Sequence, residues 1–222
     1  MLDAGGEGGK QANHDGLALD LPFTFLDHTG GTLSSNAIDV GNPKLVFEVE
    51  NRVPEGLRVF GFGFGLPLAS LSDNSREMGL SLENYAVASA TRGGADLVLW
   101  APDRFSVLAD LQARYRFHPL FMEGAVSLSG LFSTTDKDVD FHSGGWAHFG
   151  LDVASVIPFL GVTFSWLPTA DRNPIDAGVQ LGAMVELGAL ELQILAQLNI
   201  KEVFSFNDGG VFGVRIGAQR TF

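Results

Sequence analysis

The chain has 222 residues, with 18 Phe, 28 Gly and no Cys, and 14 basic against 26 acidic side chains give a formal net charge of −12. An apolar share of 45% excludes a disordered chain, the missing cysteines exclude a disulfide or thiolate-metal scaffold, and the acidic excess argues against duplex nucleic acid as a partner. No stretch approaches the about 20 consecutive apolar residues of a transmembrane helix, so the apolar side chains are dispersed along the chain.

The first ten residues, Met1 to Lys10, are polar and Gly-rich and do not read as a signal peptide. They fit a cytosolic protein, or a mature exported chain whose leader has been replaced by an initiator Met. Residues 1–15 are read as a flexible N-terminal segment. Alternation of apolar and polar residues begins beyond it, weakly, over Leu17–Phe25, Leu45–Val53, Phe60–Leu68, Leu80–Ala90 and Ala95–Ala101. In the third of these segments Gly61, Gly63 and Gly65 share one face. They either bend the strand or leave room beside it for a ligand or for a plug formed by residues 1–15.

From Phe105 the pattern is strong. Phe105, Val107, Ala109, Leu111, Ala113, Tyr115 and Phe117 alternate with Ser106, Leu108, Asp110, Gln112, Arg114 and Arg116. A helix would scatter these residues around its circumference, so this is a long strand. The same period covers Met122–Phe132, Ala147–Ile157, Leu160–Trp166, Ala177–Leu187, Leu190–Ile200 and Phe212–Ala218. The sum is an all-β chain of about twelve strands, with about ten as the alternative and an even number in either case.

The links alternate in length. Long ones fall at His28–Asn42, Ser70–Glu77, Thr134–Gly145, Pro168–Pro174 and Phe206–Gly210. Short ones fall at Pro54–Gly56, Thr91–Gly94, His118–Pro119, Pro158 and Gly188–Ala189. A short link at Ala101–Arg104, on the long side, breaks the rule. Long loops on one side, tight turns on the other and strands long enough to cross hydrocarbon with tilt describe an antiparallel up-and-down transmembrane β-barrel over residues 16–222. Large aromatics gather near strand ends: Phe105, Phe132, Trp166, Phe204 and Phe212 at the long-loop end, and Tyr115, Phe117 and Phe222 at the other. A soluble β-sandwich or β-solenoid is the competing architecture.

The polar face would line the lumen of such a barrel. It holds Asp110, Arg114, Arg116, Glu123, His148, Asp152, Gln180, Glu186, Glu191, Gln193, Gln197, Lys201 and Arg215. These side chains either pair across the interior and support the fold, or leave a solute path with Arg114, Arg116 and Arg215 facing Asp110, Glu186 and Glu191. No catalytic constellation emerges. The adjacent pair His142-Ser143 falls in a predicted loop, neighbours on a strand would point apart, and His14, His28 and His118 lie in loops or turns. Asp136, Asp138 and Asp140 have the spacing of hard-oxygen ligands, but Phe141 and Ala147 stand where a calcium loop needs Gly and Glu, so a solvated acidic loop is the better reading. No cofactor is expected.

The final stretch, Gly210 to Phe222, resembles the C-terminal strand of the bacterial outer-membrane β-barrel superfamily, at the level of a small porin-like barrel with no subfamily fingerprint. Val214, Ile216, Ala218 and Phe222 match the family's assembly signal, whereas Arg220 departs from its apolar third-from-last position. The resemblance implies location in the bacterial outer membrane. It also implies contact with the lipid bilayer and the barrel assembly machinery, with the tight turns facing the periplasm. The function it suggests is a narrow channel passing a small solute, or a passive structural barrel. The alternatives are an outer-membrane enzyme acting on lipid and a soluble all-β binding or assembly module.

Overall fold

The computed structural model describes residues 13–28, 35–70, 97–153, 155–168, 175–188, 190–199 and 212–220. In chain order the strands are β1 Asn13–Asp20, β2 Phe23–His28, β3 Ser35–Val40, β4 Lys44–Val53, β5 Gly56–Gly65, β6 Arg104–Phe117, β7 Leu120–Ser133, β8 Val139–Leu151, β9 Val156–Trp166, β10 Ile175–Leu187, β11 Leu190–Asn199 and β12 Phe212–Arg220. A single 3-10 turn, Leu97–Leu99, is the only helical element among the described residues.

β4 to β12 form nine consecutive strands of an antiparallel meander, and β1 adds to the free side of β4 to make a sheet of ten. β2 and β3 form a separate two-stranded ladder. They continue β1 and β4 beyond Pro22 and Pro43, whose rings remove backbone donors and interrupt the ladder there. Among the described residues no ladder joins β1 to β12, so the sheet is not closed into a barrel. It is nevertheless strongly curled. β6 and β11 lie five strand spacings apart, about 24 Å across a flat sheet, yet Arg114 Nη1 of β6 donates to Glu191 of β11 at 2.8 Å.

Several sequence expectations change. Leu17–Phe25 is two strands split at Pro22, and the link His28–Asn42 contains β3. β1 begins at Asn13, inside the segment read as a tail. β5 pairs directly with β6; the expected strand Leu80–Ala90 lies outside the described residues, and the described part of Ala95–Ala101 holds the 3-10 turn Leu97–Leu99 rather than a strand. β8 starts at Val139, well inside the predicted loop Thr134–Gly145, and the turn placed at Pro158 lies at residues 152–155. Pro158 instead sits in β9 just past the last β8 pairing, Gly150↔Phe159, where its missing donor breaks no bond.

With these changes the link rule holds without exception among the described strands. The β4–β5, β6–β7, β8–β9 and β10–β11 connections are short and share one end, while the β5–β6, β7–β8, β9–β10 and β11–β12 connections leave from the other. Gly188 takes the left-handed φ of +66° that a two-residue hairpin demands.

Period 2 separates the two faces. The outer face from β6 through β11 carries no charged residue among those described and is broadly exposed, with Leu181 at 62%, Leu160 at 66% and Leu128 at 60% of full accessibility. The inner face holds the core in two apolar groups. Phe121, Ile157, Phe159, Met184 and Leu195 pack toward the tight-turn end. Val46, Leu108 and Leu131 pack with Val98 and Ala101 toward the other.

Candidate functional site

The inner face between those apolar groups is polar, and its side chains meet across strands. Arg114 is its centre. Its Nε donates to Glu123 Oε2 at 2.7 Å, and its two terminal nitrogens grip Glu191 as a fork at 2.8 and 3.0 Å. This planar, bidentate geometry is the one guanidinium groups favour with carboxylates. The second Glu123 oxygen lies 3.0 Å from His148 Nδ1, His148 Nε2 lies 2.7 Å from Gln180 Oε1, and Gln180 Nε2 donates to Gln197 Oε1 at 2.8 Å. One network therefore ties β6, β7, β8, β10 and β11. Arg116 pairs with Glu186 nearer the tight turns, and both arginines lie over the Phe121 ring at 5.9 and 5.8 Å.

Glycines make these contacts possible. His148 and Gln180 stand on either side of Gly161 of β9, and a Cβ there would come within 2.5 Å of the imidazole and 2.9 Å of the Gln180 oxygen. Their bond spans a strand only because that strand is bare at the crossing point. Phe159 lies across Gly182 in the same way.

Above the network lies a cavity of about 170 Å³. Its walls include Lys44, Glu48, Asp110, Gln112, Ser127 and Trp146, with Gly61 and Gly144 supplying the space. Lys44 Nζ and Asp110 Oδ2 are 3.8 Å apart across it. At the long-loop end His142 is buried between Ser129 Oγ, 3.3 Å from Nδ1, and Ser165 Oγ, 3.0 Å from Nε2.

Most of the sequence-predicted lumen residues meet here. Asp110, Arg114, Arg116, Glu123, His148, Gln180, Glu186, Glu191 and Gln197 lie on the inner face and make the contacts above. Gln193 is on the same face of β11, opposite Met184. Arg215 occupies the β12 register position opposite Leu195. Asp152 lies in the β8–β9 turn, off the wall, where its amide donates to the Pro119 carbonyl. Lys201 lies outside the described residues. Of the proposed opposing charges, Arg114 meets Glu191 and Arg116 meets Glu186, whereas Asp110 meets Lys44. Val214 and Ile216 of the terminal strand are exposed on the outer face, Ala218 is in the same strand, and Phe222 lies outside the described residues.

His142 and Ser143 are strand neighbours on opposite faces of β8, not loop residues; His142 finds its serines on β7 and β9 instead. His14 and His28 are in strands as well. Ser129, His142 and Ser165 are all buried, so no hydroxyl there is open to a substrate. Asp136, Asp138 and Asp140 do not converge. Asp136 Oδ1 accepts from the Asp138 amide at 3.2 Å, and Asp140 pairs with Arg104 at 3.1 Å. The Ser133 hydroxyl, by hydrogen bonding, holds the Asp136 carboxyl below the usual Asp range.

Residues that sequence reasoning missed are Asn42, Lys44, Glu48, Ser129 and Ser165. Lys44 and Glu48 were legible as alternate members of a short strand, but Asn42 gave no signal beyond lying between Gly41 and Pro43. Compared with known proteins, the chain matches no family model, no curated protein and no solved structure.

Proposed function

We propose that the chain is a passive structural β-barrel of the bacterial outer membrane, with its outer face in lipid and its interior shut. The observation that carries this reading is the exposed, uncharged apolar face running unbroken from β6 to β11. Monomeric soluble proteins rarely expose contiguous apolar patches beyond a few hundred Å², and here six adjacent strands present one. Strands of 10 to 14 residues from β6 to β11 suit a tilted crossing of the hydrocarbon. At the rims, Phe105 packs on Phe132 and Tyr115 on Phe117, and Arg58 Nε donates to the Tyr115 hydroxyl at 2.6 Å. Such aromatic and basic groups suit the membrane–water boundary.

Lipid leaves no unpaired backbone edge satisfied. β1 and β12 run in opposite directions, so an antiparallel ladder between them would complete a barrel of ten strands, and closure of that kind belongs to the proposal. The exposed Val214 and Ile216 present the terminal strand to an assembly machinery. Between the shut interior and an open channel, the Arg114 network and the two apolar groups favour the shut form, because each crosses the lumen. The experiment is single-channel recording after insertion into planar bilayers. Insertion, seen as slower migration on heating before electrophoresis, without conductance steps is the expected result. Steady conductance would replace the passive reading with a channel, and a protein that stays monodisperse without detergent would remove the membrane reading.

A further inference from the structure

One charge interrupts the apolar outer face. Among the described strand residues, the outward positions from β5 to β11 carry a single formal charge, that of Arg58 near the tight-turn end of β5. Arg58 is exposed. Its Nε donates to the Tyr115 hydroxyl at 2.6 Å, and its guanidinium carbon lies 5.7 Å from the centre of the Tyr115 ring, which stacks on Phe117 at 6.0 Å. The guanidinium is therefore held in place but not neutralised: among the described residues it has no carboxylate partner. Arginine has five N–H donors, so the four on its terminal nitrogens are uncommitted there, and the Tyr115 hydroxyl, which accepts from Nε, keeps its own hydrogen to donate.

A groove starts beside this pair. Arg58 stands opposite Ala113 in the β5–β6 ladder, and the same row continues through Gly124 and Ala147 to Val162 of β9. The small outward residues Ala113, Gly124 and Ala147 floor a groove of about 440 Å³, between one ridge running from Tyr115 to Phe149 and another from Leu111 to Phe164. The row climbs away from the rim: Arg58 is two residues from Gly56, Ala113 four from Phe117, and Val162 six from Val156 at the tight-turn ends of their strands. Its four strand spacings cover about 19 Å along the sheet, against about 15 Å for the hydrocarbon depth of one leaflet. The groove thus leads from a fixed cation at the rim into the apolar face, on the length scale of one acyl chain.

We propose that Arg58, Tyr115 and this groove form a site for one phospholipid of the leaflet at the tight-turn end. The phosphodiester accepts from the guanidinium fork and the Tyr115 hydroxyl, and one acyl chain lies over Ala113, Gly124 and Ala147. Planar, forked recognition of phosphate is what arginine does best. A second copy of the chain would not satisfy the cation from its own outer face, because the described outward positions from β5 to β11 hold no carboxylate. This inference rests on the reading of the outer face as lipid-facing.

Native mass spectrometry of the full chain in a phosphate-free maltoside detergent tests it. The probes are dioleoyl phosphatidylglycerol, dioleoylglycerol as the same chains without phosphate, and glycerophosphoglycerol as the headgroup without chains. One phosphatidylglycerol per chain is expected, held about tenfold or more tighter than either fragment. Arg58→Gln should weaken it by about tenfold or more, as suits the loss of hydrogen bonds to a charged group. Tyr115→Phe should weaken it by a smaller factor. Ala147→Phe fills the groove two strands away from the clamp, and should also weaken it. Equal binding of phosphatidylglycerol and dioleoylglycerol by the unaltered chain, a comparison that needs no variant, would overturn the proposal. Parent-like binding by Arg58→Gln would do the same, and tight binding of glycerophosphoglycerol would remove the groove from the site. A chain that requires detergent yet shows no preference for phosphatidylglycerol loses this site alone, whereas one that stays monodisperse without detergent loses the lipid-facing reading with it.

Discussion

Leu181→Arg puts a charge at the middle of β10, six residues from each end of a strand that runs from Ile175 to Leu187. Leu181 is 62% exposed, faces outward, and lies between Leu160 of β9 and Ala196 of β11. In water, an exposed Leu→Arg change of this kind stays within about 0.5 kcal/mol, because no buried contact is lost. At a bilayer midplane the same change costs about 2–4 kcal/mol, whereas near the interface the cost falls to about 0–1 kcal/mol. Leu187→Arg at the end of the same strand is therefore the internal control. Reversible urea unfolding from phospholipid vesicles, followed by tryptophan emission, reads both. A difference of about 2 kcal/mol or more between Leu181→Arg and Leu187→Arg is expected. Two variants both within about 0.5 kcal/mol of the parent would refute the assignment of this face to lipid.

Two further outcomes follow from the interior. Arg114→Met leaves Glu123 and Glu191 buried without their cation and should cost about 3–5 kcal/mol in the same unfolding assay, whereas Arg114→Met with Glu123→Gln and Glu191→Gln should recover much of that loss. Gly161→Ala forces a methyl between His148 and Gln180 and should cost about 1–3 kcal/mol, with His148→Ala in the same chain reducing the penalty. If Gly161→Ala is neutral, the bridge across β9 is not as close as described.

What was legible in the sequence is the local part of the fold. From Phe105 to Leu187 alternation reports which face each residue takes, because the β-strand period is a property of consecutive residues. The inner positions of Arg114, Glu123, His148 and Gln180 follow from it. Ala95–Ala101 misled because Ala-Asp-Leu-Val-Leu-Trp-Ala is apolar enough to pass for a short strand, yet Leu97–Leu99 is a 3-10 turn and Val98 to Ala101 are buried against residues distant in sequence. The predicted loop Thr134–Gly145 hid the start of β8 because Ser143, Gly144 and Gly145 read as turn residues. There the glycines make room instead: Phe164 lies against Gly145, and Gly144 opens the cavity wall. Partner choice was legible only as two opposing sets of charge: Arg114 and Arg116 do meet Glu191 and Glu186 from the opposite set, whereas Asp110 meets Lys44. The meetings of Arg114 with Glu191 and of His142 with Ser129 and Ser165 depend on register and curl, which no local period encodes. The Gly61, Gly63 and Gly65 stripe was read as bending the strand or as leaving room for a ligand or for residues 1–15; a Cβ there would meet Val46, the Leu45 carbonyl and Ser106, groups of the neighbouring strands, and residues 1–12 lie outside the described part of the chain.

The central claim is that alternate residues of one strand face lipid and a shut interior. Nitroxide labels placed singly at cysteines from Val179 to Met184, in the protein reconstituted into vesicles, test it directly. Collision with oxygen should peak at 179, 181 and 183 and fall at 180, 182 and 184, with a water-soluble nickel chelate excluded from the first three positions. Access of the chelate to positions 179, 181 and 183, or a profile without period 2, would contradict the account.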